Sequence, residues 1–307
     1  MHFQDFTTKA QRRKDQDNNT NVLASLRCRG NIILRPGHPF SFLSLIFLLI
    51  LSYSCHKDHS PEISALKNGT VQIDFLHSVN GNVLVFDSLE YVTSLGNQYM
   101  VNDLQYFVSG LSFHQSGGTW VYIRDSSGIH YVDARIASSC QWQITQQLPT
   151  GNYDSIGFIF GLDEADNRSG RFVNPPERDM FWPEMLGGGY HYMKMNLKWK
   201  NQAMQETMPF MFHLGIGQMY SGTTADPDSI IGFIQNYFPV KLPVSTTISA
   251  NHSSVIGVEM NVAGWFDGQN AFDFSLYPMG IMQNQSGMYR AALNGRSVFS
   301  FQPIVYK

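Results

Sequence analysis

Apolar and polar residues alternate with a period of two through most of the chain after residue 70, and turn signals interrupt them at short intervals. In Thr70–Leu76 (TVQIDFL), Val71, Ile73 and Phe75 share one face, as alternate side chains of a strand do. Gly81-Asn82, Gly117-Gly118, Ser127-Gly128 and Gly151-Asn152 mark turns. Between and beyond them the pattern predicts strands over Gln98–His114, Thr119–Arg124, Ile129–Val132, Tyr153–Gly161, Tyr190–Trp199, Pro209–Leu214, Val240–Leu242, Ser254–Asn261 and Ala271–Ser275. Only Met288–Leu293 has helix character, while Asp163–Arg178 and Tyr220–Asp228 read as polar loops. No run alternates strand with helix, which excludes a doubly wound sheet. The expected class is all-β: an antiparallel β-sandwich of immunoglobulin-like or jelly-roll type with long loops.

The N-terminal part is of another kind. Residues 41–55 read SFLSLIFLLILSYSC, with Arg35 shortly before. Residues 42–51 supply about 10 apolar positions where a spanning helix needs about 20. The run suits a secretory signal peptide, with Ser52, Tyr53 and Ser54 as a lipoprotein cleavage box and Cys55 as the lipidated residue. An uncleaved anchor is the other reading. The expected layout is therefore an N-terminal extension over 1–34, disordered or mis-annotated, a signal peptide over 35–54, a flexible tether over 55–69 and one sandwich domain over 70–307. No Met lies between Met1 and Met100, so a non-Met start near Ile32–Leu34 fits this layout. Lys57 and Asp58 close behind Cys55 resemble Bacteroidetes-type lipoprotein tethers. The working part is expected outside the cytoplasm, on a bacterial outer membrane.

About 250 residues beyond the signal can bury one sizeable core. Net charge is −3 with 15% charged residues, and no basic patch invites nucleic acid. Setting aside Cys28 and Cys55, only Cys140 remains, so no internal disulfide is expected. That thiol is either buried or a ligand. There is no G-x-S-x-G, HExxH or P-loop, and His130 with Asp133 and nearby Ser126 and Ser127 makes no triad. Enzyme activity is not expected.

Two constellations could hold metal. Period-2 spacing aligns His191, Met193 and Met195 on one face and Met211 with His213 on another. If those strands pair, imidazoles and thioethers could meet, a donor set that suits copper. Period-2 methionine is equally the mark of an inward strand face. Asp163, Glu164, Asp166 and Asn167 offer oxygen ligands, but not at EF-hand spacing, and read better as a solvated turn.

Five fragments in order, VQIDFLHSVNG (71–81), YMVNDLQYFVSGLSF (99–113), SIGFIFGLDEADNRSG (155–170), MFWPEMLGGGYHYMKMNLKW (180–199) and FHLG (212–215), with SVFSF at 297–301, resemble the MbnP-like family, named for a protein encoded beside the copper chelator methanobactin. The resemblance implies an extracytoplasmic β-sandwich that binds copper through histidines and a kynurenine, made from a Trp by a di-haem peroxidase-type partner. It carries His213 and His77 over as imidazole ligands and Trp182 as the modified ligand or a core aromatic. His191 and Met211 are further candidates. The chain departs from the family pattern at Glu184, where many relatives have a second Trp, and at Met282–Gln283, where relatives can carry His. A contrasting reading is a carbohydrate- or protein-binding surface module using Trp120, Trp142 and Trp265 as an exposed row.

If Cys55 carries the lipid, Cys55→Ala releases the protein from washed membranes into the soluble fraction. Retention of the variant after detergent-free washing would contradict the anchor.

Overall fold

A computed structural model describes residues 67–200 and 206–303. The signal peptide, the tether up to Leu66 and Cys55 lie outside the described residues. The chain enters as β1 (Asn68–Val79), in which Val71, Ile73 and Phe75 are buried as the alternation requires. Asn80 and Gly81 both adopt positive φ (50° and 84°), and Val79 pairs with Asn82. That is a two-residue primed turn, for which Asn-Gly is the preferred sequence. Short β2 (Asn82–Val83) and β3 (Tyr91–Val92) lead to β4 (Gln98–Gln115), an 18-residue strand. β5 (Trp120–Tyr122), β6 (Ile129–Asp133), β7 (Gln141–Pro149) and β8 (Gly151–Phe160) follow. Past a long loop come β9 (Met193–Lys200) and β10 (Met208–Leu214), then a ribbon of β11 (Gly217–Tyr220) and β12 (Ile230–Ile234). β13 (Phe238–Ile248), β14 (Ser253–Asn261), the single turn α1 (Gly264–Asp267), α2 (Gln285–Gly295) and β15 (Phe299–Gln302) complete the described chain.

Two sheets form the sandwich. One runs β15-β14-β1-β2 with β7 also on β1; the other runs β10-β9-β4-β8-β13 with β3, β5 and β6 on β4. The strand pairs are antiparallel except β1 with β14, which are parallel, Ile73 opposite Ile256. β4 is long enough to serve two neighbours in succession. At Phe107 its N–H donates to the Tyr192 carbonyl (3.0 Å), and its carbonyl accepts from the Gly161 N–H (2.9 Å), handing the ladder from β9 to β8. Gly161 sits there at φ +95°, and a Cβ would meet the Tyr192 ring at 2.7 Å, so only glycine fits.

The core between the sheets is aromatic. Phe75 meets Tyr106 edge-on (5.9 Å, 88°), and Phe160 touches Tyr106, Phe238, Trp265 and Phe299 at 5.1–5.6 Å. Such pairs add to their large buried area.

Several expectations are corrected. Ala271–Ser275 is no strand: Asp273 caps a 3-10 turn at Phe274–Leu276 by accepting from the Ser275 N–H, a local bond that competes with ladder pairing. The strand expected from Tyr190 begins only at Met193. α2 contains the segment of helix character, capped by Asn284.

Phe160, fully buried at the centre of these contacts, is the test of the core. Phe160→Ala should cost about 3–5 kcal/mol in denaturant unfolding; a loss under about 1 kcal/mol would contradict the packing.

Candidate functional site

The site starts from a β-bulge. In β4, Val101 and Leu104 both face the core although three positions apart, because the register shifts between Val101 and Asp103. The extra residue turns Asp103 to the outer face, opposite Asn196 of β9. β10 lies beyond, with Met211 opposite Asn196 and His213 opposite Lys194. Phe210, Phe212 and Leu214 fill the core from β10, while Met211 and His213 point to the other side. Met193 and Met195, aligned with Leu214 and Phe212, are fully buried on the core side. β9 and β10 do pair, but these two thioethers and His213 are on opposite faces, which removes them as joint ligands.

His213 is on an outer face and yet only 7% exposed. The loop before β9 covers it. Its end folds back on itself, Phe181 bridging to Tyr190, with Gly187, Gly188 and Gly189 all at positive φ. Asn167 and Ser169 accept from the N–H groups of Tyr190 and Gly189 (both 2.8 Å). Trp182 is fully buried, its indole N–H given to the Leu186 carbonyl (3.1 Å). A Cβ on Gly215 would lie 2.7 Å from that indole, which explains the glycine of FHLG.

The loop brings His191 to His213. Their ring centroids are 5.1 Å apart at 84°, and Trp182 packs on His191 at 4.6 Å. His191 Nδ1 is 2.9 Å from the Met180 carbonyl; since a carbonyl only accepts, Nδ1 carries the proton and Nε2 a lone pair. His213 Nε2 is 2.9 Å from Asn196 Oδ1, so its lone pair is on Nδ1. His191 Nε2 and His213 Nδ1 are both buried without a hydrogen-bond partner. Burial pulls His191 down to about 4, despite the opposing Met180 bond. Burial, then neighbouring His191 and Lys194, pulls His213 to about 3. Two neutral imidazoles in ring contact thus each keep one buried nitrogen without a partner. An ion at about 2.0–2.1 Å from each would hold ring centroids about 5–6 Å apart, so the pair fits a metal.

The other candidates are elsewhere. His77 extends the inward face of β1, where its Nε2 meets the Tyr106 hydroxyl (3.0 Å). It lines an open cleft of about 580 Å³ with Cys140 and Glu259. Burial lowers it to about 4, against a smaller upward pull from Asp133. No hydrogen bond or ring contact joins it to the pair. Met211 is partly exposed beside His213, its backbone tied to Met279 and Ile281. Half-buried Cys140 has its thiol pushed up, chiefly by burial. In the acidic loop, Asp163 caps the N–H groups of Ala165 and Asp166, Asp166 pairs with Arg171 (3.1 Å), and Glu164 accepts from Tyr237 (2.6 Å). These local bonds form a hydrogen-bonded turn of the kind expected. Trp142 and Trp265 are buried at 2% and 0%, so the exposed row with Trp120 does not exist. Among the described residues no group of three His, Cys, Asp or Glu converges. The His191–His213 pairing was reachable by sequence through spacing, but the covering loop that creates it was not.

An all-β sandwich with a buried imidazole pair under a glycine-rich loop defines the class. The chain belongs to the MbnP family, whose model matches residues 68–283. Among solved structures, MbnP from Methylosinus trichosporium is similar at 17% identity and a TM-score of 0.44, over 68% of this chain and 84% of that one. No curated protein matches. Members of this family are extracytoplasmic, and membership suggests a methanobactin-associated, copper-related role. Among the described residues no helix is long and apolar enough to cross a membrane.

His77, His191 and His213 stay neutral when folded, well below the ordinary 6.5. As pH falls below 6.5 the unfolded chain takes up protons first, so stability present above that pH is lost progressively toward about 4 for His77 and His191 and about 3 for His213. The denaturation midpoint should fall across this window, and fall less in H191Q/H213Q. An equal slope in both proteins would show that the pair is not buried neutral.

Proposed function

We propose that the protein binds copper outside the cytoplasm, held to an outer membrane through a lipid on Cys55, and serves in copper uptake, storage or delivery. His191 Nε2 and His213 Nδ1 are the imidazole donors. The observation that carries this is the pair of buried, unpartnered nitrogens on rings 5.1 Å apart. Metal-binding histidines characteristically donate their other N–H to a fixed acceptor; here Met180 and Asn196 are those acceptors.

The donor set favours Cu(I). Zinc sites want three or four protein ligands, and no third His, Cys, Asp or Glu converges here among the described residues. Imidazole suits copper, and the monovalent ion is less costly than a divalent one to place in a dry site without a counter-charge. Exposed Met211, on the same face as His213, offers a thioether on the solvent side. Trp182, against His191, is the residue that a di-haem peroxidase-type partner, using a peroxide or dioxygen oxidant, would convert to kynurenine: the C2–C3 bond of the indole is cleaved oxidatively, C2 leaves as formate, and an aryl amine and a ketone remain beside the pair. His77, tied to Tyr106, is a structural residue on this reading. The protein is read as a binding protein, not an enzyme.

Anaerobic Cu(I) competition on purified protein tests the assignment. His191→Ala and His213→Ala should each lose more affinity than the about 10–100-fold typical of outer partners, while His77→Ala keeps its copper. Binding that survives both substitutions, or vanishes only in His77→Ala, would overturn the assignment.

A further inference from the structure

The bare nitrogen of His213 is set from a distance. Asn196 has one carboxamide and two neighbours that compete for its orientation. Its Nδ2 donates to Asp103 Oδ2 (3.1 Å), and its Oδ1 faces His213 Nε2 (2.9 Å). A carboxylate accepts only, so Asp103 compels the NH₂ end of Asn196 toward itself. The carbonyl end must then face His213, which can satisfy it only by carrying its proton on Nε2. That leaves the lone pair on Nδ1, the atom buried without a partner. Asp103 is itself held, its Oδ1 lying 3.5 Å from the Arg135 guanidinium, which also donates to the Asn102 carbonyl (2.7 Å). The bulge at Asn102 makes the arrangement possible, because without the extra residue position 103 would face the core.

We propose that Asp103 and Asn196 are positioning residues that fix the tautomer of His213, so that Nδ1 is the donor atom. The proposal rests on the copper reading for its consequence, but the tautomer exists without metal. Neither residue touches the ion; both act through His213.

The test uses an isosteric change. In Asp103→Asn the new amide can donate to Asn196 Oδ1, which lets Asn196 turn its NH₂ to His213 and draw the proton to Nδ1. Ring ¹⁵N NMR of the metal-free protein should show His213 as the Nε2–H tautomer in the original chain, with a substantial Nδ1–H fraction in D103N. Cu(I) affinity should fall about 10–100-fold. The swapped double variant D103N/N196D restores a carboxylate that accepts from Nε2–H, and should recover both tautomer and affinity. A D103N protein with unchanged tautomer would overturn the proposal, as would a shifted tautomer with unchanged affinity. If the original chain binds no Cu(I), the copper reading fails by itself, and the metal-free spectra still decide whether Asp103 and Asn196 set the ring.

Discussion

One carbonyl holds the candidate site together. The Met180 oxygen accepts from both the backbone N–H and the ring Nδ1–H of His191 (2.6 and 2.9 Å). The first bond folds the loop back over the sheet; the second chooses the His191 tautomer and leaves its buried Nε2 with a free lone pair. Trp182 is carried in by the same fold-back, its backbone N–H bonded to the Gly189 carbonyl and its indole pressed on Gly215. Burial then keeps both imidazoles neutral, because a charged ring in this space would lose its hydration with no carboxylate to compensate. Loop closure, tautomer choice and basicity are thus aspects of one arrangement.

The scaffold supports this from its opposite side. The outer face of β4, β9 and β10 is shaped by the bulge at Asn102, while the inner face of the same strands packs Tyr106, Met195 and Phe212 into the core. Shifting the register of any of these strands by one residue would exchange the two faces. The core therefore fixes which residues reach the site, although Met193 and Met195 contribute nothing to it directly. The placement of thioethers inside and imidazoles outside also argues for a nitrogen-based site with at most a sulfur at its rim.

Much of this was legible in the sequence, for reasons that can be named. β1, β4, β8 and β14 carry their period-2 faces openly, and the turn read at Gly81-Asn82 lies one residue earlier, at Asn80-Gly81. β7 (Gln141–Pro149) was not legible, since its polar run of Gln and Thr masks the buried Trp142, Ile144 and Leu148. The parallel pairing of β1 with β14 joins residues about 180 positions apart, a relation no local pattern encodes. In the site, FHLG and the family likeness pointed to His213 and Trp182. Alternation picked out His191 on the wrong premise, since that residue precedes the strand and is turned by Met180. His77 followed the inward face of its strand as expected, and so reached Tyr106. A loop that buries an outward-facing histidine is a tertiary event, visible only once the chain is folded.

Copper K-edge X-ray absorption on the Cu(I)-loaded protein addresses the central claim most directly. The account predicts imidazole scattering from two histidines at nitrogen distances of about 2 Å, reduced to one in the His213→Ala protein if any copper remains. Copper bound by sulfur alone, or imidazole scattering indifferent to both His191 and His213, would contradict it.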